Sequence, residues 1–498
     1  MTDQMVPFLT GAYGHPVVKT PNLDRMVQEG VRFEAAYTSC PICAPARASL
    51  MTGKLISRIG CYDNAAPLCC DEPALTHYLS NAGYETVASG KLHYVGPDQL
   101  HGFRRRLTTD VYPSGFDWTT SREAVNKPMF EGTTHAHAYA TPQVGVRRWS
   151  TYLGYDEETH FRALEYIYSK RLDEDTRQQM QSDNDSGPFF LCVSYHHPHE
   201  PFVVTQDLWD MYEGQPIDIP EYPGNLNETY STMDRWLNTF HGVDRVDVRQ
   251  PDSLYNLRRS YYGLVSYVDN KVGELLQALE NAGLREDTIV IFTGDHGDML
   301  CEKGMVQKRT FYEWSVRVPL IVWFPGGRHK GARIAQPVSL MDVAPTILNL
   351  AGVDEWLPMD GRSLVGLVDG SEVDERDVLA EMHSEGVYAP CFMVRRDKFK
   401  YIHIHGGGAQ LFDLARDPGE WHNLAGNPDF AEVEDDLRAR VLGRFDPDEI
   451  EKDVRESLAR RRLIRTTMQV NRTQWDYDPP FDASRQYVRG SFGKGVNE

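Results

Sequence analysis

Short, nearly continuous apolar runs alternate with polar clusters along this chain. Thr86-Val87-Ala88, Pro188 through Tyr195 (PFFLCVSY), Thr288 through Thr293 (TIVIFT) and Val318 through Phe324 (VPLIVWF) predict buried strands, because a strand covered on both faces loses its polar alternation. Between the second and third, Tyr261, Leu264, Val265, Val268, Val272, Leu275, Leu276 and Leu279 recur at three-and-four spacing, which predicts a helix stopped at Gly283. Strand, helix, strand in that order predicts an α/β fold, a large mostly parallel or mixed sheet with helices on both faces. From about Asp374 the pattern changes. Val394 through Ile404 (VRRDKFKYIHI) and Gln410 through Leu414 (QLFDL) predict a smaller antiparallel sheet. After Asp446 the chain is charged and partly helical, and its basic patch, Arg455 through Arg465 (RESLARRRLIR), reads as a solvated helix face. Trp475, Tyr477, Phe481 and Tyr487 are too aromatic for a free tail and predict docking on the body or on a neighbouring subunit. The expected division is a main domain at 1–373, a small α+β subdomain at 374–446 and a tail at 447–498 that serves homo-oligomerisation.

The polar residues at the end of each strand matter more than the strand. Thr86-Val87-Ala88 runs into Ser89-Gly90-Lys91-Leu92-His93, PFFLCVSY into His196-His197-Pro198-His199, and TIVIFT into Gly294-Asp295-His296-Gly297-Asp298. In open parallel sheets ligands bind beyond the carboxyl ends of the strands, so three such clusters predict one site.

Composition narrows the chemistry. The 498 residues carry 52 Lys plus Arg against 72 Asp plus Glu, a net charge of −20, which argues against nucleic acid as a partner. No stretch approaches the roughly 20 apolar residues that span a bilayer. Met1-Thr2-Asp3-Gln4-Met5 has neither a basic nor an apolar leader region, so the expected location is cytoplasmic, with eight reduced cysteines. In so acidic a chain, Arg47, Lys91, Lys308 and the histidines gathered at strand ends suggest an oxyanion ligand, sulfate or phosphate. Asp3, Asp295 and His296 supply the two carboxylates and imidazole that suit Ca²⁺, Mg²⁺ or Mn²⁺.

Cys43-Ala44-Pro45-Ala46-Arg47, continued by Ala48-Ser49-Leu50-Met51-Thr52-Gly53, carries Cys-x-Pro-x-Arg and Thr-Gly. This resembles the signature of the sulfatases, members of the alkaline phosphatase superfamily in which that cysteine is oxidised to formylglycine. Asp3-Gln4, Gly90-Lys91-Leu92-His93, Pro198-His199-Glu200-Pro201, Gly294 through Gly297, Lys308 ahead of Arg317-Val318-Pro319-Leu320, and Leu411-Phe412-Asp413-Leu414 resemble further sulfatase blocks in the family's order. Tyr62 through Ala66, Val95 through Phe103, Leu107 through Pro113, Tyr388-Ala389-Pro390 and Val454 through Ser457 resemble the choline-sulfatase branch.

The resemblance implies hydrolysis of a small-molecule sulfate ester, choline sulfate by best match, after maturation by a formylglycine-generating enzyme. It implies one divalent cation, Ca²⁺ by family habit, on Asp3, Cys43, Asp295 and His296. Hydrated formylglycine at Cys43 would attack sulfur, and its second hydroxyl would let sulfate leave. Arg47 would hold the nucleophile's oxygen and Lys91 and Lys308 the sulfate oxygens. His93 would be the base and His199 the acid, while His196 and His197 would be structural. A quaternary ammonium calls for aromatic faces, and Tyr139, Trp149 and Trp475 are the candidates. In the family an apolar strand precedes the Asp-Gln element, and upstream residues supplying one are expected to strengthen both fold and metal site.

Three rivals remain. A phosphonate or phosphate monoester hydrolase, or an arylsulfatase, of the same superfamily would share the motif residues. Cys40-Pro41-Ile42-Cys43 fits a dithiol redox protein, a reading that leaves the Asp/His clusters idle. A structural Zn²⁺ site lacks the short ligand spacing it needs.

Overall fold

In the computed structural model, described for residues 1–120, 135–171, 187–371 and 375–481, the apolar runs fold as strands of one mixed sheet. They are Thr2–Asp3 (β1), Val31–Phe33 (β2), Glu85–Gly90 (β3), Arg105–Arg106 (β4), Phe189–Pro198 (β5), Val290–Thr293 (β6), Leu320–Trp323 (β7) and Ala332–Ile334 (β8). Two four-stranded halves, β1-β5-β3-β4 and β8-β2-β7-β6, meet where Thr2 bridges Gly294 in parallel and Asp295 N–H reaches Thr2 O at 3.1 Å. All neighbours run parallel except β7, which is antiparallel to both β2 and β6. The run Val318 through Phe324 therefore returns against its neighbours, as a short connection allows. The run from Pro188 carries on as strand to Pro198, so His196 and His197 belong to β5 itself.

Alternate residues build two cores. Phe292, Ile321 and Trp323 face the helices Pro21–Glu29 and Pro251–Asn281, whereas Val31, Phe33, Leu320 and Val322 face Cys43–Thr52, Leu75–Asn81 and Val343–Ala351. The second of the helices on the first face ends just short of Gly283, whose φ of +63° suits the left-handed stop. A separate antiparallel sheet comprises Val378–Met382 (β9), Cys391–Arg396 (β10), Phe399–Ile404 (β11) and Gly408–Asp413 (β12), in that order. The charged turn between β10 and β11 is Asp397-Lys398, with Asp397 in the left-handed region. The boundary near Asp374, and Tyr487, lie outside the described residues.

The tail departs from expectation. Pro447–Asn471 is one helix whose Ile450, Val454 and Leu458 pack against β10 to β12. Its basic patch is no uniform solvated face, since Arg461 is buried and grips Asp63. Beyond it Trp475 meets Phe116, Asp476 accepts hydrogen bonds from Ser114, and Arg106 lies over Tyr477. The tail docks on its own body. No helix among the described residues is long and apolar enough to cross a membrane.

Candidate functional site

Four parallel strands end on one spot. β1 delivers Asp3, β3 runs into Lys91 and His93, β5 into His199, and β6 into Asp295 and His296. β3 and β5 can approach closely because Gly90 has φ +100° and a Cβ there would lie 2.0 Å from Ser194 O.

Cys43 opens helix α1 (Cys43–Thr52), every residue of which is buried. No side chain of the preceding residue caps it, and the free Ala44 N–H instead donates to Asn64 Oδ1 at 2.9 Å. The helix dipole puts partial positive charge at the sulfur. Cys43 Sγ lies 3.1 Å from His296 Nε2 and 3.7 Å from Asp3 Oδ1. Burial pushes the thiol up, but Lys308, Lys91 and His296 outweigh it and bring it well below its ordinary value. Position 43 is a stabilised anion site.

On one side stand the carboxylates. His296 Nε2 is 3.6 Å from Asp3 Oδ1 and 3.7 Å from Asp295 Oδ1, while its Nδ1 faces Gly297 O at 2.9 Å, which fixes the ring. Arg47 braces both acids, donating from Nε to Asp295 at 2.8 Å and from Nη2 to Asp3 at 3.4 Å, with Nη1 on Ser194 Oγ at 2.8 Å. Burial and Cys43 push Asp3 up, yet Lys91, His199 and Lys308 hold its carboxyl far below the carboxylate range. Burial pushes His296 down, but Asp295 and Cys43 raise it. Among the described residues, one group of His, Cys, Asp and Glu side chains can close on an ion: Asp3, Cys43, Asp295 and His296, their ligand atoms within 4.8 Å of one another. Two carboxylates suit a hard cation and the imidazole is tolerated. A sulfur at position 43 suits it less well than an oxygen would.

On the other side stand the cations. Lys91, fully buried, pairs with Asp3 and lies 4.3 Å from the Tyr112 ring centroid. Lys308 Nζ lies 2.7 Å from His199 Nε2 and bonds Gln4 Oε1. His199 Nδ1 reaches Glu200 O at 2.9 Å and the Glu200 carboxylate at 3.1 Å. Burial opposes the ionisation of Glu200, but His199 and Lys308 hold it low. His93 takes a left-handed φ of +59°, its N–H bound to Asp110 at 2.8 Å. Its ring packs against Tyr112 and Trp118, with neither nitrogen bonded to a described residue. His196 bonds Tyr112 Oη at 3.0 Å, and His197 is held by Asp156 at 2.6 Å.

The structure thus gathers Asp3, Cys43, Arg47, Lys91, His199, Lys308, Asp295 and His296 directly, and His93 through Tyr112. The expected aromatic cage is elsewhere. Tyr139 is buried with its hydroxyl on Asp298 at 2.6 Å, Trp149 is largely exposed, and Trp475 packs on Phe116. Residues 131–134 of the stretch beside Tyr139 lie outside the described residues. Tyr112 and Trp118, 4.8 Å apart and half-buried, are the rings beside Lys91 and His93. Tyr112 sits inside the run Leu107 through Pro113 with no pattern to single it out. Gln4, Glu200 and Asp298 adjoin motif residues and Gln4 binds both acids, yet only the fold shows it. Cys40 lies in an apolar cluster with Ile42 and Met382, its thiol pushed well up by desolvation. All eight cysteines are free.

Comparison with known proteins points the same way. A family model described as sulfatase matches residues 1–353, one described as N-sulphoglucosamine sulphohydrolase, C-terminal, matches 301–445, and one described as choline sulfatase enzyme C terminal matches 452–493. The chain is 38% identical to the choline-sulfatase of Rhizobium meliloti (strain 1021), over 94% of this chain and 90% of that one. It is 29% identical to an arylsulfatase of Clostridium perfringens, over 89% and 92% of the two chains. Its fold resembles that of a phosphonate monoester hydrolase of Agrobacterium radiobacter, with TM-score 0.67 and 24% identity over 89% of this chain and 94% of that one.

Proposed function

Since the chain belongs to the sulfatase family, and with it to the sulfuric ester hydrolases, we propose that it cleaves choline sulfate to choline and sulfate through an oxidised Cys43. The observation that carries the mechanism is the position-43 side chain set between an acid pair with an imidazole on one side and two buried lysines with His199 on the other.

In this reading a formylglycine-generating enzyme converts Cys43, and the hydrated aldehyde supplies an oxygen nucleophile with a second hydroxyl for sulfate release. That change turns a soft ligand into an oxygen, completing a set of Asp3, Asp295, His296 and residue 43 that would hold a hard cation such as Ca²⁺. A bound divalent cation supplies charge against the sulfate oxygens and favours the ionised nucleophile. Arg47 orients the two carboxylates through its ion pairs with them. Lys91 and Lys308 take the remaining sulfate oxygens, where charge builds as the S–O bond to the alcohol breaks. Choline is a poor leaving group as an alkoxide, so its oxygen needs a proton. His199 supplies it: Glu200 anchors Nδ1 at 3.1 Å, and Nε2, which accepts from the Lys308 ammonium at 2.7 Å, relays a proton to that oxygen. His93, with both ring nitrogens unbonded among the described residues, takes the proton that releases sulfate.

The choice of choline rests on the choline-sulfatase relative, on the matching C-terminal segment, and on the Tyr112 and Trp118 faces that a quaternary ammonium would meet. The test is sulfate, phosphonate or alcohol release by the matured protein from choline sulfate, an aryl sulfate and a phosphonate monoester at matched concentrations. Preference for choline sulfate is expected. Preference for either of the others would keep the nucleophile and overturn the substrate.

A further inference from the structure

The basic patch of the tail helix plays no part in the chemistry above, yet its arginines reach both loops that frame the site. Helix α2 (Pro447–Asn471) lies along them. Arg461, 3% exposed, donates from Nη1 to Asp63 Oδ1 at 2.6 Å and from Nη2 to Asp63 Oδ2 at 2.8 Å, and from Nε to Ser457 Oγ at 3.2 Å. Asp63 Oδ1 also accepts Ala65 N–H at 3.0 Å, which fixes the turn carrying Asn64. Asn64 is the residue that accepts the Ala44 N–H beside the nucleophile. One hydrogen-bonded chain therefore runs from the tail helix to the first turn of α1.

The next arginines reach the second loop. Arg462 donates to Thr120 O from Nε at 3.3 Å and Nη2 at 3.1 Å, and Arg465 donates from Nη1 to Thr119 O at 3.2 Å. A turn further on, Gln469 bonds Asp117 at 3.2 Å. The segment so held contains Trp118, whose ring stands on Tyr112 and His93. Spacing i, i+1, i+4 puts the three arginines on adjoining helix faces against the body. Among the described residues, the exposed arginines of the same patch, Arg455 and Arg460, pair with Glu451 and Glu456 on their own helix.

We propose that Arg461, Arg462 and Arg465 are positioning residues. Arg461 sets the nucleophile's helix through Asp63 and Asn64, and the Arg462/Arg465 pair sets the aromatic wall of the leaving-group pocket. The second half rests on the choline reading above, whereas the first holds for any ester this site cleaves. Arginine is required at 461 because two parallel donors must meet both carboxylate oxygens, which a lysine cannot do.

The test is steady-state kinetics of the matured full chain on choline sulfate and an aryl sulfate, at a temperature where near-UV circular dichroism shows each variant folded. Arg461→Met is expected to lower kcat on both substrates by about 10–100-fold, as small misplacements of reacting groups do, and Arg461→Lys to recover only part. The double variant Arg462→Met/Arg465→Met is expected to raise KM for choline sulfate about tenfold and to move the aryl sulfate KM less, the loss of one cation–π contact being of that order. Lower melting temperatures with kcat and KM within about twofold of the parent would make the helix a structural strap and overturn the proposal; twofold is under about 0.5 kcal/mol, less than the tenfold effect at stake. Should Arg461→Met not fold, an unchanged choline sulfate KM in the double variant overturns it alone. If the parent ignores choline sulfate, the substrate reading fails by itself, and the Arg461 arm is decided on the aryl ester.

Discussion

At position 43, three cationic neighbours and a helix N-terminus favour an anion, and the acids beyond them favour a metal. Replacing Cys43 by serine keeps a hydroxyl but removes both the aldehyde hydrate and the exit it gives to sulfate. Sulfate release by Cys43→Ser should fall by roughly 10³–10⁶-fold, the cost of disabling a nucleophile, with an unchanged far-UV spectrum; retained turnover would contradict the mechanism. His135 shows a different effect of burial. Desolvation first, and Arg309 second, press its pKa down to about 3, so it is neutral in the native state. Unfolded, it titrates near 6.5. The folded value lies below the unfolded one, so its contribution is complete above pH 6.5 and is lost as pH falls towards 3. Melting temperature should therefore drop on acidification below about pH 6.5, and His135→Gln should flatten that drop; an identical slope in the variant would refute it. Most motif residues of the site were legible in the sequence because they follow a strand or lie on the helix that Cys43 opens, whereas Lys308, on a loop, was legible only through the family resemblance. Asn64 stood inside the Tyr62–Ala66 block with no role to read, and Glu385 stood outside every block. Glu385 binds Asn64 N–H at 3.0 Å across 321 residues, and its partner Arg309 sits on a third segment. No local pattern encodes that meeting.

Among elements, the four apolar runs became strands of the expected mixed sheet, and periodicity left their direction and exact length open. Periodicity says nothing about whether Leu320–Trp323 runs with or against Val290–Thr293, and β5 absorbed His196 and His197 because a strand's backbone pairs regardless of side chain. The solvated reading of Arg455 through Arg465 failed for Arg461 for a related reason, since Asp63 lies far away in sequence. β1 is short. Met1 N donates to Val193 O at 2.6 Å, and Tyr195 N–H to Met1 O at 3.0 Å. Beside it, the facing edges of Phe189–Val193 and Val290–Thr293 line a mostly apolar groove of about 890 Å³.

For the whole molecule, a charge of −20 surrounds a site whose own centre carries Arg47, Lys91 and Lys308. The acids there are paired with those cations, and a divalent ion bound by Asp3, Asp295, His296 and residue 43 would tie β1, β6 and α1 together. Chelation should therefore lower the melting temperature as well as the activity, and Ca²⁺ should restore both. At an ion concentration 100 times Kd the stabilisation amounts to about 2.7 kcal/mol. A melting curve indifferent to chelator and Ca²⁺ would contradict the metal assignment. Turnover of choline sulfate in heavy-oxygen water by the protein matured with a formylglycine-generating enzyme should release choline and sulfate equally and place the heavy oxygen in sulfate alone, with no release by Cys43→Ala. Heavy oxygen in choline, or undiminished release by that variant, would contradict attack on sulfur by residue 43.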